Sequence, residues 1–141
     1  MQVQINQSLQ QQIFEQMEAT FPNEGGGFLL GTKTNDTVVI EDVIHIENVF
    51  ETEEQYHRYA MTPQNWAKME DEADERRLLL VGYYHSHPNH PAIPSEFDRV
   101  HALPNFIYII TSVIAGKSAV QRAWLLSNNR SEFSELALEV S

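Results

Sequence analysis

Two stretches of this sequence are apolar almost without interruption, Leu78 to Tyr84 and Phe106 to Ile114. Runs of that length and composition read as buried strands rather than half-exposed ones. A sheet that contains them needs cover, so the chain has to supply helices that pack against it. Ser8 to Ala19 is the first candidate, because Leu9, Ile13 and Met17 recur at four-residue spacing, with Phe14 beside them and Asn6 or Ser8 available as a cap. Thr62-Pro63 opens a second helix running to about Arg77, with Trp66, Met69 and Ala73 facing inward. A short third helix is expected from about Glu96 to Ala102.

The remaining segments read as strands and connections. Val3 and Ile5 alternate with polar residues as a short opening strand. Glu24-Gly25-Gly26-Gly27 reads as a flexible turn into the strand Phe28-Leu29-Leu30, with Gly31 as its breaker. Thr37 to Val49 is one long strand or a bent pair, and Phe50 to Met61 is a polar, acidic loop. Ala119 to Leu126 and Phe133 to Val140 form a closing hairpin that turns near Asn128-Asn129. The expected class is α/β or α+β: a single mixed, curved sheet packed by about three helices, in one domain spanning 1–141.

Composition narrows the function. With 9 Lys and Arg against 20 Asp and Glu, the formal charge is -11. That balance argues against non-specific nucleic-acid binding, which needs cations to neutralise phosphates. No stretch approaches the ~20 apolar residues that cross a bilayer, and residues 1–12 lack the basic and apolar regions of a signal peptide. The expectation is a soluble cytoplasmic protein with no membrane or nucleic-acid partner. Because cysteine is absent, a metal would have to be bound by His, Asp or Glu.

One constellation meets that requirement. His85-Ser86-His87 is followed by seven residues, Ser95, two residues and Asp98. Residues i and i+2 at a strand end project to one side, so both imidazoles can reach one ion. A carboxylate returning from the next helix makes three ligands and leaves one tetrahedral position free, the pattern of a catalytic zinc site. Pro88, Pro91 and Pro94 stiffen the returning loop. Each part alone has a plainer explanation. Ser95 and Asp98 are spaced as a helix capping box, a role compatible with chemistry. Ser86 packs or bonds locally, His90 faces solvent on the rim, and His45, His57 and His101 belong to no pattern. Together, the four residues recur by chance in about 5 of ten thousand chains of this composition. Other zinc chemistries do not fit: there is no His-Glu-x-x-His, and no Pro-Cys-x-x-Cys of the deaminases. The glycine run lacks the lysine of a phosphate-binding loop.

His85-Ser86-His87 with Ser95-Glu96-Phe97-Asp98 resembles the signature of the JAMM/MPN+ metalloproteases of the Mov34/MPN/PAD-1 superfamily, whose fold is cytidine deaminase-like. Glu24, within Pro22-Asn23-Glu24-Gly25-Gly26-Gly27-Phe28-Leu29-Leu30-Gly31, stands where that family carries an upstream glutamate. Asn48 and Arg58-Tyr59-Ala60-Met61-Thr62-Pro63 also look like the minimal bacterial members. The resemblance implies that His85, His87 and Asp98 ligate one Zn2+ per chain, with water as fourth ligand and nucleophile. It implies that Glu24 is the general acid and base, and that Ser95 stabilises the oxyanion. Its implied substrate is a ubiquitin-like or sulfur-carrier protein, cut at the amide bond after C-terminal glycines. Only seven residues separate Asp98 from Phe106, too few for the insertion of ubiquitin-specific members, which suggests a stand-alone bacterial type. The loop from Phe50 to Met61 is then a candidate wall of the substrate groove. The alternatives are a non-catalytic MPN-type interaction domain and a metal-dependent hydrolase of small amides.

Overall fold

A computed structural model of the chain describes residues 1–46 and 63–141. The segment Gln2–Ile5 forms β1, and Asn6 caps the helix α1 (Gln7–Thr20) by accepting the Leu9 N–H at 2.8 Å. Leu9, Ile13 and Met17 are the buried residues of α1, as their spacing requires. Next come β2 (Gly26–Lys33) and β3 (Thr37–Ile46). One expectation changes here. Gly31 does not break β2; it sits at a bulge inside the strand, where an added Cβ would lie 1.9 Å from the Val39 carbonyl of β3. Glycine is there because a neighbouring backbone approaches too closely for any side chain. The candidate loop wall at 50–61 lies outside the described residues, as does the part of Thr37–Val49 beyond Ile46.

The second helix, α2 (Pro63–Glu75), ends slightly before Arg77 and buries Trp66, Met69 and Ala73. Strand β4 (Leu79–Pro88) is longer than its apolar run, because it continues through the His-Ser-His segment. Its first residue, Leu79, is exposed. The short helix α3 (Glu96–His101) then crosses over to β5 (Ile107–Ile114), which lies parallel to β4, and β6 (Lys117–Leu126) and β7 (Phe133–Val140) form the final hairpin.

The strand order is β1-β3-β2-β4-β5-β6-β7, and β1 pairs in parallel with both β3 and β7, so the curved mixed sheet closes on itself. Closure gives β1 a partner on each edge, which removes what would otherwise be an open strand edge. Two apolar clusters occupy opposite faces. On one, α1 packs with Val3, Leu29, Tyr84, Ile107 and Ile109; on the other, Trp66 and Met69 of α2 pack with Phe28, Tyr83 and Tyr108. Ile13 has no exposed surface. Ile13→Ala is expected to lower unfolding free energy by about 2–5 kcal/mol, read as a lower urea midpoint at unchanged m-value. Among the described residues, no helix is long and apolar enough to cross a membrane.

Candidate metal centre

Strand β4 uses its two faces for two different tasks. Side chains alternate along a strand, so Tyr83, His85 and His87 share the face of α2 and α3, while Tyr84 and Ser86 share the face of α1. On the first face, His85 Nε2 and His87 Nε2 lie 3.2 Å apart. Asp98 Oδ1 is 3.1 Å from His85 Nε2, and Asp98 Oδ2 is 3.1 Å from His87 Nε2. The three ligand atoms fall within 4.8 Å of one another, and all three residues are buried.

Asp98 reaches this position because Ser95 starts α3 in an extended conformation. Ser95 Oγ accepts the Asp98 N–H at 3.1 Å, and Asp98 Oδ2 accepts the Ser95 N–H at 2.8 Å. The capping box therefore exists, and it aims the carboxylate at the histidines. The helix is fixed in turn by Arg99, which donates to the Arg130 carbonyl, and by Arg130, which donates to the Val100 carbonyl, both at 2.8 Å. Arg99 also pairs with Glu96, holding that carboxyl below its usual range. Behind α3, Tyr108 accepts the Leu103 N–H at 2.7 Å. Burial pushes the Tyr108 phenol well above its ordinary range, and the nearby Asp98 charge adds a smaller push in the same direction.

The donor set states what it can hold. His87 Nδ1 lies 2.8 Å from the Pro91 carbonyl. A carbonyl only accepts, so Nδ1 carries a proton, and Nε2 is the nitrogen left to face Asp98 and His85 and to take a metal. Two imidazole nitrogens and a carboxylate converging at such distances are held together by a shared proton or a shared metal cation. Two imidazoles, one carboxylate and no thiolate suit a zinc ion with one coordination position left for chemistry. The residues present fit that ion.

On the other face, Ser86 does more than bond locally. Its Oγ accepts the Gly25 N–H at 2.9 Å, and its own N–H donates to the Gly25 carbonyl at 3.0 Å. The expected flexible turn is therefore clamped: a Cβ at Gly25 would lie 2.4 Å from Thr20 Oγ1, while Gly26 and Gly27 already belong to β2. The clamp holds Glu24, which is 8% exposed, at a cavity of about 500 Å³. His87, Pro88, His90, Pro91, Ile93 and Ser95 complete its lining. Glu24, His87 and Ser95 thus meet at one cavity although Glu24 and Ser95 are 71 positions apart in sequence.

The family model for prokaryotic homologs of the JAB domain matches residues 6–127. The chain belongs to the prokaryotic JAB family. Among solved structures, a Salinibacter ruber protein is 35% identical, with a TM-score of 0.74 over 100% of this chain and 92% of the other. A JAB1/MPN domain protein from Archaeoglobus fulgidus is 20% identical, with a TM-score of 0.63 over 99% and 98% of the two chains. A structure described as JAMM, a metalloprotease-like zinc site in the proteasome and signalosome, is 19% identical, with a TM-score of 0.58 over 100% and 99%. The last two are likenesses of fold. No curated protein matches the sequence.

Within this JAB fold the other histidines divide as their surroundings dictate. His90 is exposed and lines the cavity mouth, and His101 stacks on Phe97 with ring centroids 4.2 Å apart. His45 is half-buried opposite Gly27, and His57 lies outside the described residues. Sequence reasoning missed Ser86 as the residue that places Glu24. The available signal was the strand alternation itself, which turns Ser86 away from its two histidine neighbours.

Proposed function

We propose that this JAB-family protein is a zinc-dependent peptidase or isopeptidase of the cytoplasm. Its substrate in this reading is a ubiquitin-like or sulfur-carrier protein, cut at the amide bond after C-terminal glycines. The observation that carries the reading is the meeting of Glu24, His87 and Ser95 at a single cavity beside the buried His85-His87-Asp98 cluster. A carboxylate, a hydroxyl and a three-ligand metal set are the parts that amide hydrolysis requires. The family match and the metalloprotease-like zinc site of a structural neighbour support the same class.

His85, His87 and Asp98 would hold the zinc, which when bound supplies Lewis acidity and lowers the pKa of a coordinated water toward ~7. The chain's own groups perform the rest. The Glu24 carboxylate takes a proton at one oxygen and returns it to the leaving nitrogen, turning a poor leaving group into a neutral amine. Ser95 Oγ already accepts the Asp98 N–H, so its own hydrogen is available to the oxygen that becomes negative as the carbonyl is attacked. Pro88, Pro91 and Ile93 line the cavity beside the reacting groups with apolar surface.

The test measures metal content and cleavage of a Gly-Gly-linked carrier fusion before and after chelation. One zinc per chain is expected, with cleavage lost on chelation and restored by added zinc. Hydrolysis of small amides with an intact fusion would replace the substrate class. A protein that takes up no zinc from a micromolar excess would instead be the non-catalytic interaction domain.

A further inference from the structure

The loop between β4 and α3 is held by a device outside the motif. Three successive carbonyls of this loop each accept a hydrogen bond from a different strand. The His90 carbonyl accepts from Ser112 Oγ of β5 at 2.6 Å, the Pro91 carbonyl from His87 Nδ1 of β4 at 2.8 Å, and the Ala92 carbonyl from Trp124 Nε1 of β6 at 3.1 Å. One residue earlier, Asn89 donates its N–H to the Val113 carbonyl at 2.7 Å, and its Oδ1 accepts the Ala115 N–H at 2.9 Å.

The pattern has a geometric consequence. Pro91 and Ile93 are exposed and only Ala92 is buried between them, so the loop has little core of its own. Its shape rests on these bonds and on the fixed φ of its prolines. Ser112 stands directly opposite His87 in the β4–β5 register, and Trp124 stands opposite Tyr108 on the next strand. Fixing the peptides on either side of Pro91 leaves its carbonyl little freedom to turn away from His87.

We propose that Ser112 and Trp124 are positioning residues of the metal centre. By holding the His90 and Ala92 carbonyls, they aim the Pro91 carbonyl at His87 Nδ1 and so reserve Nε2 for the metal. Both act through the loop, to whose carbonyls their side chains donate. The functional consequence rests on the zinc reading above, whereas the tautomer itself does not.

Two readouts separate the proposals. The first is the ¹⁵N spectrum of the imidazoles in metal-free protein. The wild type is expected to show His87 with Nδ1 protonated throughout, and the Ser112→Ala/Trp124→Phe double variant a population whose Nδ1 is unprotonated. The second is zinc affinity by competition with a chromophoric chelator. The double variant is expected to bind about 10–100-fold more weakly, each single variant less so, and Ser112→Thr, which keeps the hydroxyl, close to wild type. A double variant with wild-type tautomer and wild-type affinity overturns the proposal. Should Trp124→Phe fail to fold, Ser112→Ala against Ser112→Thr makes the same decision. Should the wild type take up no zinc, the zinc reading falls, and the tautomer spectrum still decides the positioning role.

Discussion

Glu24→Gln is expected to slow cleavage of a Gly-Gly-linked fusion by about 10²–10⁴-fold, the range a positioned general acid–base group contributes. Zinc content should stay at the wild-type level. The position of Glu24 sets both outcomes. It faces the cavity but is not one of the three atoms that converge on the metal position. Gln keeps the size of the side chain and removes its negative charge, and with it the ability to take up a proton. The backbone beside it is held independently by the two hydrogen bonds between Gly25 and Ser86, so the substitution has no reason to rearrange the turn. Single-turnover rates on zinc-loaded protein measure the effect. Equal rates for the two proteins would remove Glu24 from the chemistry while leaving the metal site standing.

Asp98→Asn is expected to separate folding from metal binding at one residue. Asp98 does two jobs: its Oδ2 accepts the Ser95 N–H at the start of α3, and the same carboxylate faces both histidines. An asparagine oxygen can still accept the Ser95 N–H, so α3 keeps its cap. It brings no negative charge, however, and its amide nitrogen is no ligand for zinc. Zinc affinity should therefore drop by more than the roughly 10–100-fold typical of a change one contact removed from a metal, and cleavage should vanish with it. Calorimetry of zinc binding and circular dichroism of the metal-free protein read the two jobs separately. An unfolded variant would show that the cap requires the charge. A folded variant with unchanged zinc affinity would remove Asp98 from the ligand set.

The two substitutions also distinguish two kinds of knowledge about the site. That Asp98 belongs with His85 and His87 is legible in the sequence, because the three residues are local and their spacing obeys strand and helix geometry. The periodic residues of α1 and α2 were legible for the same reason: Leu9, Ile13 and Met17, and Trp66, Met69 and Ala73, are the buried ones. Gly31 misled because a glycine looks the same whether it ends a strand or admits a neighbouring backbone. Gly25 misled likewise, since the atoms that confine it belong to Met17 and Thr20 and its clamp belongs to Ser86. The placement of Glu24 came from resemblance, and nothing within its own segment shows that it is buried.

By itself, then, the sequence determined where the helices and most of each strand lie, which face of each helix is apolar, and which ligands a metal can have in a chain without cysteine. These follow from periodicity and side-chain chemistry, which are properties of short segments. The tertiary structure decided the rest: the closure of the sheet through β1, the clamp of Ser86 on Gly25, and the anchoring of His90 and Ala92 by Ser112 and Trp124. Each is a pairing between residues at least 22 positions apart. Local patterns carry no record of such pairings, because the groups meet only after the strands have found their register.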